Sequence, residues 1–347
     1  MTKRMHAVGG FALLLLSGAV LADPDTMFTV KVVEEDGVTP VQGALVHGGF
    51  VTGSGSWMGQ RESYGEDITT GADGLASFEH SSIGQWGFTV QKKGYYDCRT
   101  DKLKRAQGVD KSLFSDHWLP WNYTYVIPLR KIGNPVAMYA GSVVKGLTGA
   151  IDVPVKDKPI GFDLIERDWV IPYGLGTHSD FVFSVHQEGK YQGVFNTTVK
   201  LTFSNRGDGI IPVDIPAPSD AISVFRWPRY APTDGYQAFV EKYMRGGPPE
   251  PKGRRLARAG QILKSRVETN SAQTSQVPGG YFFRIRSVVD AQGQVREAMY
   301  GKIPGDFMIG WTGGFDFVYY LNPDKTRNLE FDTSKPLFDP HISTLEP

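Results

Sequence analysis

The chain has one cysteine, Cys98, so it can form no internal disulfide and must hold its fold by burial. It has no excess of either charge, with 37 basic and 37 acidic residues in 347. That balance argues against a nucleic-acid binder, which would carry a pronounced basic excess. Long stretches rich in Ala, Leu, Glu and Lys are missing, and so is any internal repeat of fixed period. No stop-transfer segment follows the first 22 residues. Metal-ligand spacing is lacking too. His47, His80, His117, His178, His186 and His341 make no H-x-H or HExxH pair, and no D-x-D-x-D-G calcium loop is present. There is no G-x-S-x-G nucleophile elbow. His178-Ser179-Asp180 sets three triad residue types side by side, but neighbours on a strand point to opposite faces. The sequence therefore assigns no catalytic residue, no metal and no cofactor.

What is present begins at the N-terminus. Lys3 and Arg4 form a basic head, an apolar run from Val8 to Leu21 follows, and Val20-Leu21-Ala22 supplies the small side chains of a cleavage site. Residues 1–22 are predicted to be a signal peptide, with the mature chain starting at Asp23. The apolar run is short for a bilayer core of roughly 30 Å, which disfavours a permanent membrane anchor. Without Lys3 and Arg4, 35 basic residues face 37 acidic ones, a net charge near −2. The expected location is the periplasm, the cell surface or the medium.

Aromatic residues make up 12 % of the chain, beside 41 Gly and 22 Pro, a usage that suits short strands joined by turns. Phe28, Val30 and Val32 alternate with Thr29 and Lys31, the period of a half-buried strand. Pro40-Val41-Gln42-Gly43-Ala44-Leu45-Val46 opens a second strand. Thr70, Asp73, Gly74 and Phe78 fit a tight hairpin, and Phe88 and Val90 lead to a turn at Lys93-Gly94-Tyr95. This order, VKVVEEDGVTPVQGALV, then ITTGADGLASFE, then WGFTVQKKGYY, resembles the transthyretin-like, or carboxypeptidase-regulatory-like, β-sandwich family. The resemblance covers roughly residues 27–130 and implies a small sandwich of the kind usually appended to other domains, without activity of its own. The segment Gly53 to Tyr64 is longer than the family's hairpin loop. Gly133-Asn134-Pro135 marks a domain junction, giving a first domain over 25–132 and a second over 133–347.

The second domain shows the same period. Phe181, Phe183 and Val185 alternate with Val182, Ser184 and His186, and Val199 and Leu201 with Lys200 and Thr202. Tyr281, Phe283 and Ile285 alternate with Phe282, Arg284 and Arg286, and Phe315, Phe317, Tyr319 and Leu321 with Asp316, Val318 and Tyr320. With hairpin turns and no βαβ rhythm, a larger antiparallel sandwich or jelly-roll-like domain is expected, and the chain as a whole is all-β. One insertion, at about 236–268, breaks the rhythm. Phe239, Val240 and Tyr243 stand at helical spacing, which predicts a short helix over Tyr236 to Arg245. A basic stretch from Lys252 to Arg266 follows, read either as an anion or envelope contact or as a solvated loop.

Trp118, Trp121 and Tyr123 fall in an irregular segment of the first domain and are the candidate ligand-binding residues. Flat rings on sandwich loops stack on sugars or anchor a protein partner; the competing role is that of plugs sealing the sandwich. The expected function is an exported, non-catalytic binding or structural component of the cell envelope or surface, its partner a glycan or an envelope protein. The alternative is a secreted glycan-directed hydrolase with paired carboxylates in the second domain or between the domains.

Overall fold

A computed structural model describes residues 23–53, 61–100, 102–111, 116–143, 150–189, 195–215, 220–246, 266–269, 272–273, 279–309, 314–338 and 347. The expected signal peptide, residues 54–60 of the long insertion and the basic stretch up to residue 265 lie outside them. The described residues are all-β, with several antiparallel sheets and no helix. None of them forms a helix long and apolar enough to cross a membrane. The chain divides into two compact units, one holding the chain up to Lys93 with Asp97–Leu129, the other Gly94–Tyr96 with Arg130–Pro347.

The first unit contains β1 (Asp25–Val33), β2 (Leu45–Gly53), β3 (Arg61–Thr69), β4 (Leu75–Ser81) and β5 (Gln85–Gln91). Short strands follow: β6 (Cys98–Arg99), β7 (Lys104–Arg105), β8 (Gly108–Lys111), β9 (Asp116–Leu119) and β10 (Tyr123–Pro128). One sheet centres on β1, which pairs antiparallel with β4 and parallel with β10. The other runs β6-β5-β2-β3. Alternation decides which side chains meet between them. Phe28 on β1 packs against Phe50 and Phe88 of the opposite sheet, with ring centroids 5.5 and 6.1 Å apart. Gly48 on β2 lies beneath Phe78, where an added Cβ would come within 2.5 Å of the ring. Cys98 is buried on β6, its Sγ 3.9 Å from the Pro128 carbonyl.

In the second unit the strands are β11 (Val136–Ser142), β12 (Ile151–Asp152), β13 (Ile160–Asp163), β14 (Asp168–Trp169), β15 (Phe181–Gly189) and β16 (Phe195–Thr202). Then come β17 (Gly209–Val213), β18 (Ile222–Ser223), β19 (Phe239–Gly246), β20 (Arg266–Thr269), β21 (Ala272–Gln273) and β22 (Gly280–Val289). The last are β23 (Val295–Pro304), β24 (Met308–Ile309), β25 (Gly314–Asp316), β26 (Val318–Asn322) and β27 (Phe331–Pro336). One sheet is ordered β17-β22-β23-β26-β11-β27, the other β14-β13-β15-β16-β19-β20-β21. Phe181, Phe183 and Val185 of one meet Tyr281, Phe283 and Ile285 of the other in a common core, with Phe181 and Phe283 5.1 Å apart. The β22–β23 pair is covered on its second face as well, because Phe282, Ala298 and Tyr300 pack under Phe225, Trp227 and Ala231.

The helix expected over Tyr236 to Arg245 is not formed. Residues 239–246 are β19, paired antiparallel with β16 so that Val240 faces Leu201 and Lys242 faces Val199. Val240 and Lys242 are both buried, a period of two that continues the core of β16. A helix there would have left the β16 edge without its ladder.

Candidate functional site

The three aromatic candidates do different things. Trp118, on β9, donates its indole N–H to the Ser82 carbonyl at 2.7 Å and lies against Gly84. It is tied into the sandwich end. Trp121 sits in the turn between β9 and β10, its ring 4.1 Å from that of His117. Tyr123 begins β10, is 44 % exposed, and meets the buried Tyr125 edge-on at 4.7 Å. The turn is set by Asn122, at φ 50°, whose Oδ1 accepts a hydrogen bond from Thr29 Oγ1 at 2.8 Å. Asn tolerates that left-handed conformation better than most residues. The turn thus presents Trp121 on His117 beside the base of a rigid strand.

A second ring pair had no sequence signal. Tyr64 of β3 stacks on His80 of β4 at 3.9 Å, and His80 in turn lies 5.5 Å from the buried Phe50. Tyr64 is half-exposed. The two strands lie in different sheets, so the contact comes from the packing of one sheet on the other, which brings together residues distant in sequence.

The second unit concentrates charge in its interior. Asp163 accepts the backbone N–H groups of Ile165, Glu166, Thr177 and His178, and Arg286 Nη2 at 3.2 Å. Burial pushes its pKa up, but the four amides outweigh that and hold it below the ordinary aspartate value. Asp180 is gripped by Arg286 and also takes the Leu164 N–H at 3.0 Å. In the His178-Ser179-Asp180 tripeptide, the His178 side chain is 60 % exposed whereas that of Asp180 is buried, so no triad is assembled there.

A second centre is the buried Glu330, which receives the N–H groups of Gly133 and Asn134 at 2.7 and 2.9 Å, the Tyr96 hydroxyl at 2.7 Å and Arg229 at 2.5 Å. Near it, Lys302 is fully enclosed, donating to the Leu329 carbonyl at 3.0 Å, with its Nζ 4.7 Å from the Tyr320 ring centre. Burial and the Arg130 charge bring the Lys302 pKa down to about 7, against the pull of Glu330.

A third centre joins Lys242 and Asp306. Their side chains are only 2 % and 8 % exposed and are in direct contact. The amine lies 3.8 Å from the Phe307 ring centre and 4.9 Å from that of Tyr281. Tyr281 donates its hydroxyl to Asp306 Oδ1 at 3.1 Å. Burial lowers the Lys242 pKa well below the ordinary lysine value.

His186 stands on the solvent face of β15, its Nδ1 2.5 Å from Asp157, and that contact raises its pKa. Among the described residues, no three His, Cys, Asp or Glu side chains converge as metal ligands would. No protein-family model and no curated protein matches this chain.

Proposed function

We propose that this chain is an exported binding or structural component of the cell envelope or surface, with a transthyretin-like first domain and no catalytic activity of its own. The observation that carries the reading is the turn after β9, where Trp121, its ring tilted against that of His117, and the half-exposed Tyr123 flank Asn122, which is bonded to Thr29. Rings fixed in this way lose little freedom on binding and offer flat faces to a glycan, or an anchor to an envelope protein. The interior carboxylates support the same reading. Asp163, Asp180 and Glu330 spend their lone pairs on backbone amides and guanidinium groups, which is architectural work.

Two measurements test it. The protein recovered from the producing cell should begin at Asp23, and a product that retains Met1 sinks the export claim. On a glycan array and in pull-downs from envelope extracts, Trp121→Ala and Tyr123→Ala should each weaken binding by about 0.5–1.5 kcal/mol beyond the lost area. Turnover of a polysaccharide, abolished by changing one acidic residue of the second unit, would replace this reading by the hydrolase.

A further inference from the structure

We propose that Lys242 and Asp306 condense into an intramolecular amide bond that ties the two sheets of the second unit together. Lys242 belongs to β19 in one sheet, and Asp306 follows β23 of the other. Their side chains touch in a site walled by Phe307 and Tyr281, nearly closed to water. Lys242 Nζ also lies 3.4 Å from the Phe307 carbonyl, which helps aim the amine.

The chemistry needs a neutral amine and a neutral carboxylic acid. Burial of an amine favours the neutral form, and in a buried pair a proton passing from ammonium to carboxylate leaves both groups uncharged. The amine lone pair attacks Cγ of Asp306, so that an N–C bond forms. One Cγ–O bond then breaks, and the hydroxyl leaves with a proton from the nitrogen as one molecule of water. Nothing is oxidised or reduced, and no co-reactant is consumed. Tyr281, whose hydroxyl donates to Asp306 Oδ1, polarises the carbonyl and stands where the proton must pass from nitrogen to the leaving oxygen. In solution this condensation is slow. Here the fold holds the two groups at an effective concentration on the order of 10⁵ M or more, and exclusion of water disfavours the reverse reaction. Because the partners come from opposite sheets, they meet only after the sandwich has closed. The bond therefore records a completed fold, in a chain whose single cysteine allows no internal disulfide. This inference is independent of the binding role proposed above.

Intact-mass measurement of the denatured full chain decides it. The expected mass is lower than that of its sequence by one water. Trypsin should no longer cut after Lys242, and fragmentation should reveal a branched peptide joining the Lys242 segment to the Asp306 segment. Asp306→Ala and Lys242→Arg should each restore the full sequence mass. Should either variant fail to fold, the branched peptide of the unaltered protein still decides the matter. A full sequence mass, a Lys242 amine that reacts with acetic anhydride after denaturation, or a water loss mapped to other residues would each overturn the proposal.

Discussion

Arg286 holds Asp180 through two nearly parallel bonds, Nε to Oδ1 at 2.8 Å and Nη2 to Oδ2 at 2.9 Å. The arginine stands on β22 and the aspartate just before β15, so the pair fastens one sheet of the second unit to the other. Planar guanidinium and carboxylate groups fit this double contact, and a lysine cannot reproduce it. Removing one partner strands a buried charge. Asp180→Ala is expected to cost about 3–5 kcal/mol in urea unfolding. A loss below about 1 kcal/mol would mean that Asp163 alone satisfies the arginine.

Acid should loosen the second unit through Asp163 and Glu330. Burial acts to raise both pKa values, but backbone amides, and for Glu330 also Arg229, bring them below the ordinary 3.8 and 4.5. A folded-state pKa below the unfolded one gives stability that is complete above those ordinary values and is lost as pH falls through the folded ones. Glu330→Gln should be less stable than the parent by about 3 kcal/mol near neutrality. It should also lose less on acidification to about pH 3. Parallel urea midpoints for the two proteins check this, and equal acid sensitivity would remove Glu330 from the account.

On the alkaline side Lys302 gives a slope of the same sign, although here it is the neutral form that the fold favours. Its folded pKa of about 7 lies below the ordinary 10.5, so between those values the unfolded chain holds a proton that the folded chain does not. Stability should therefore rise with pH above 7. Burial raises the pKa of Tyr281 and Tyr319 above the ordinary 10.0, so the gain should reverse beyond that pH. Lys302→Met is expected to flatten the rise, and denaturation midpoints across this range would show it. A variant that keeps the full rise would assign it to another group.

Trp118 on β9 and Trp121 in the turn that follows should separate by melting temperature. Trp118→Ala removes a ring packed on Gly84 and strands the Ser82 carbonyl, an expected loss of about 2 kcal/mol or more. Trp121→Ala should cost about 1 kcal/mol or less. The reverse order would make Trp121 the plug and Trp118 the exposed face.

Most strands were legible because one face of each is buried. Phe28-Val30-Val32, Phe181-Phe183-Val185 and Tyr281-Phe283-Ile285 all line cores in the period that their spacing implies. Phe282 puts an apolar ring on the other half of its pattern because β22 is covered on both faces. Residues 239–246 misled because Phe239, Val240 and Tyr243 satisfy a helical period, while the burial of Lys242, which marks the strand, is decided by Asp306 some sixty residues away. The charged centres were illegible for the same reason. Glu330 meets Gly133 and Tyr96, and Arg286 meets Asp163, across more than a hundred positions. Periodicity reports which face a residue occupies, but not what waits there.

The parallel pairing of β1 with β10 has a mechanical consequence. The two strands run alongside each other from Phe28 opposite Tyr123 to Val33 opposite Pro128, and they open and close the first unit along the chain. Tension applied at Asp25 and at Pro128 would pull these neighbours along their shared direction, in opposite senses. The hydrogen bonds between them are then loaded in shear, many at once, instead of being peeled apart singly as at the open end of a hairpin. For a protein anchored at one end and tugged at the other, that geometry sets the force at which the first unit gives way.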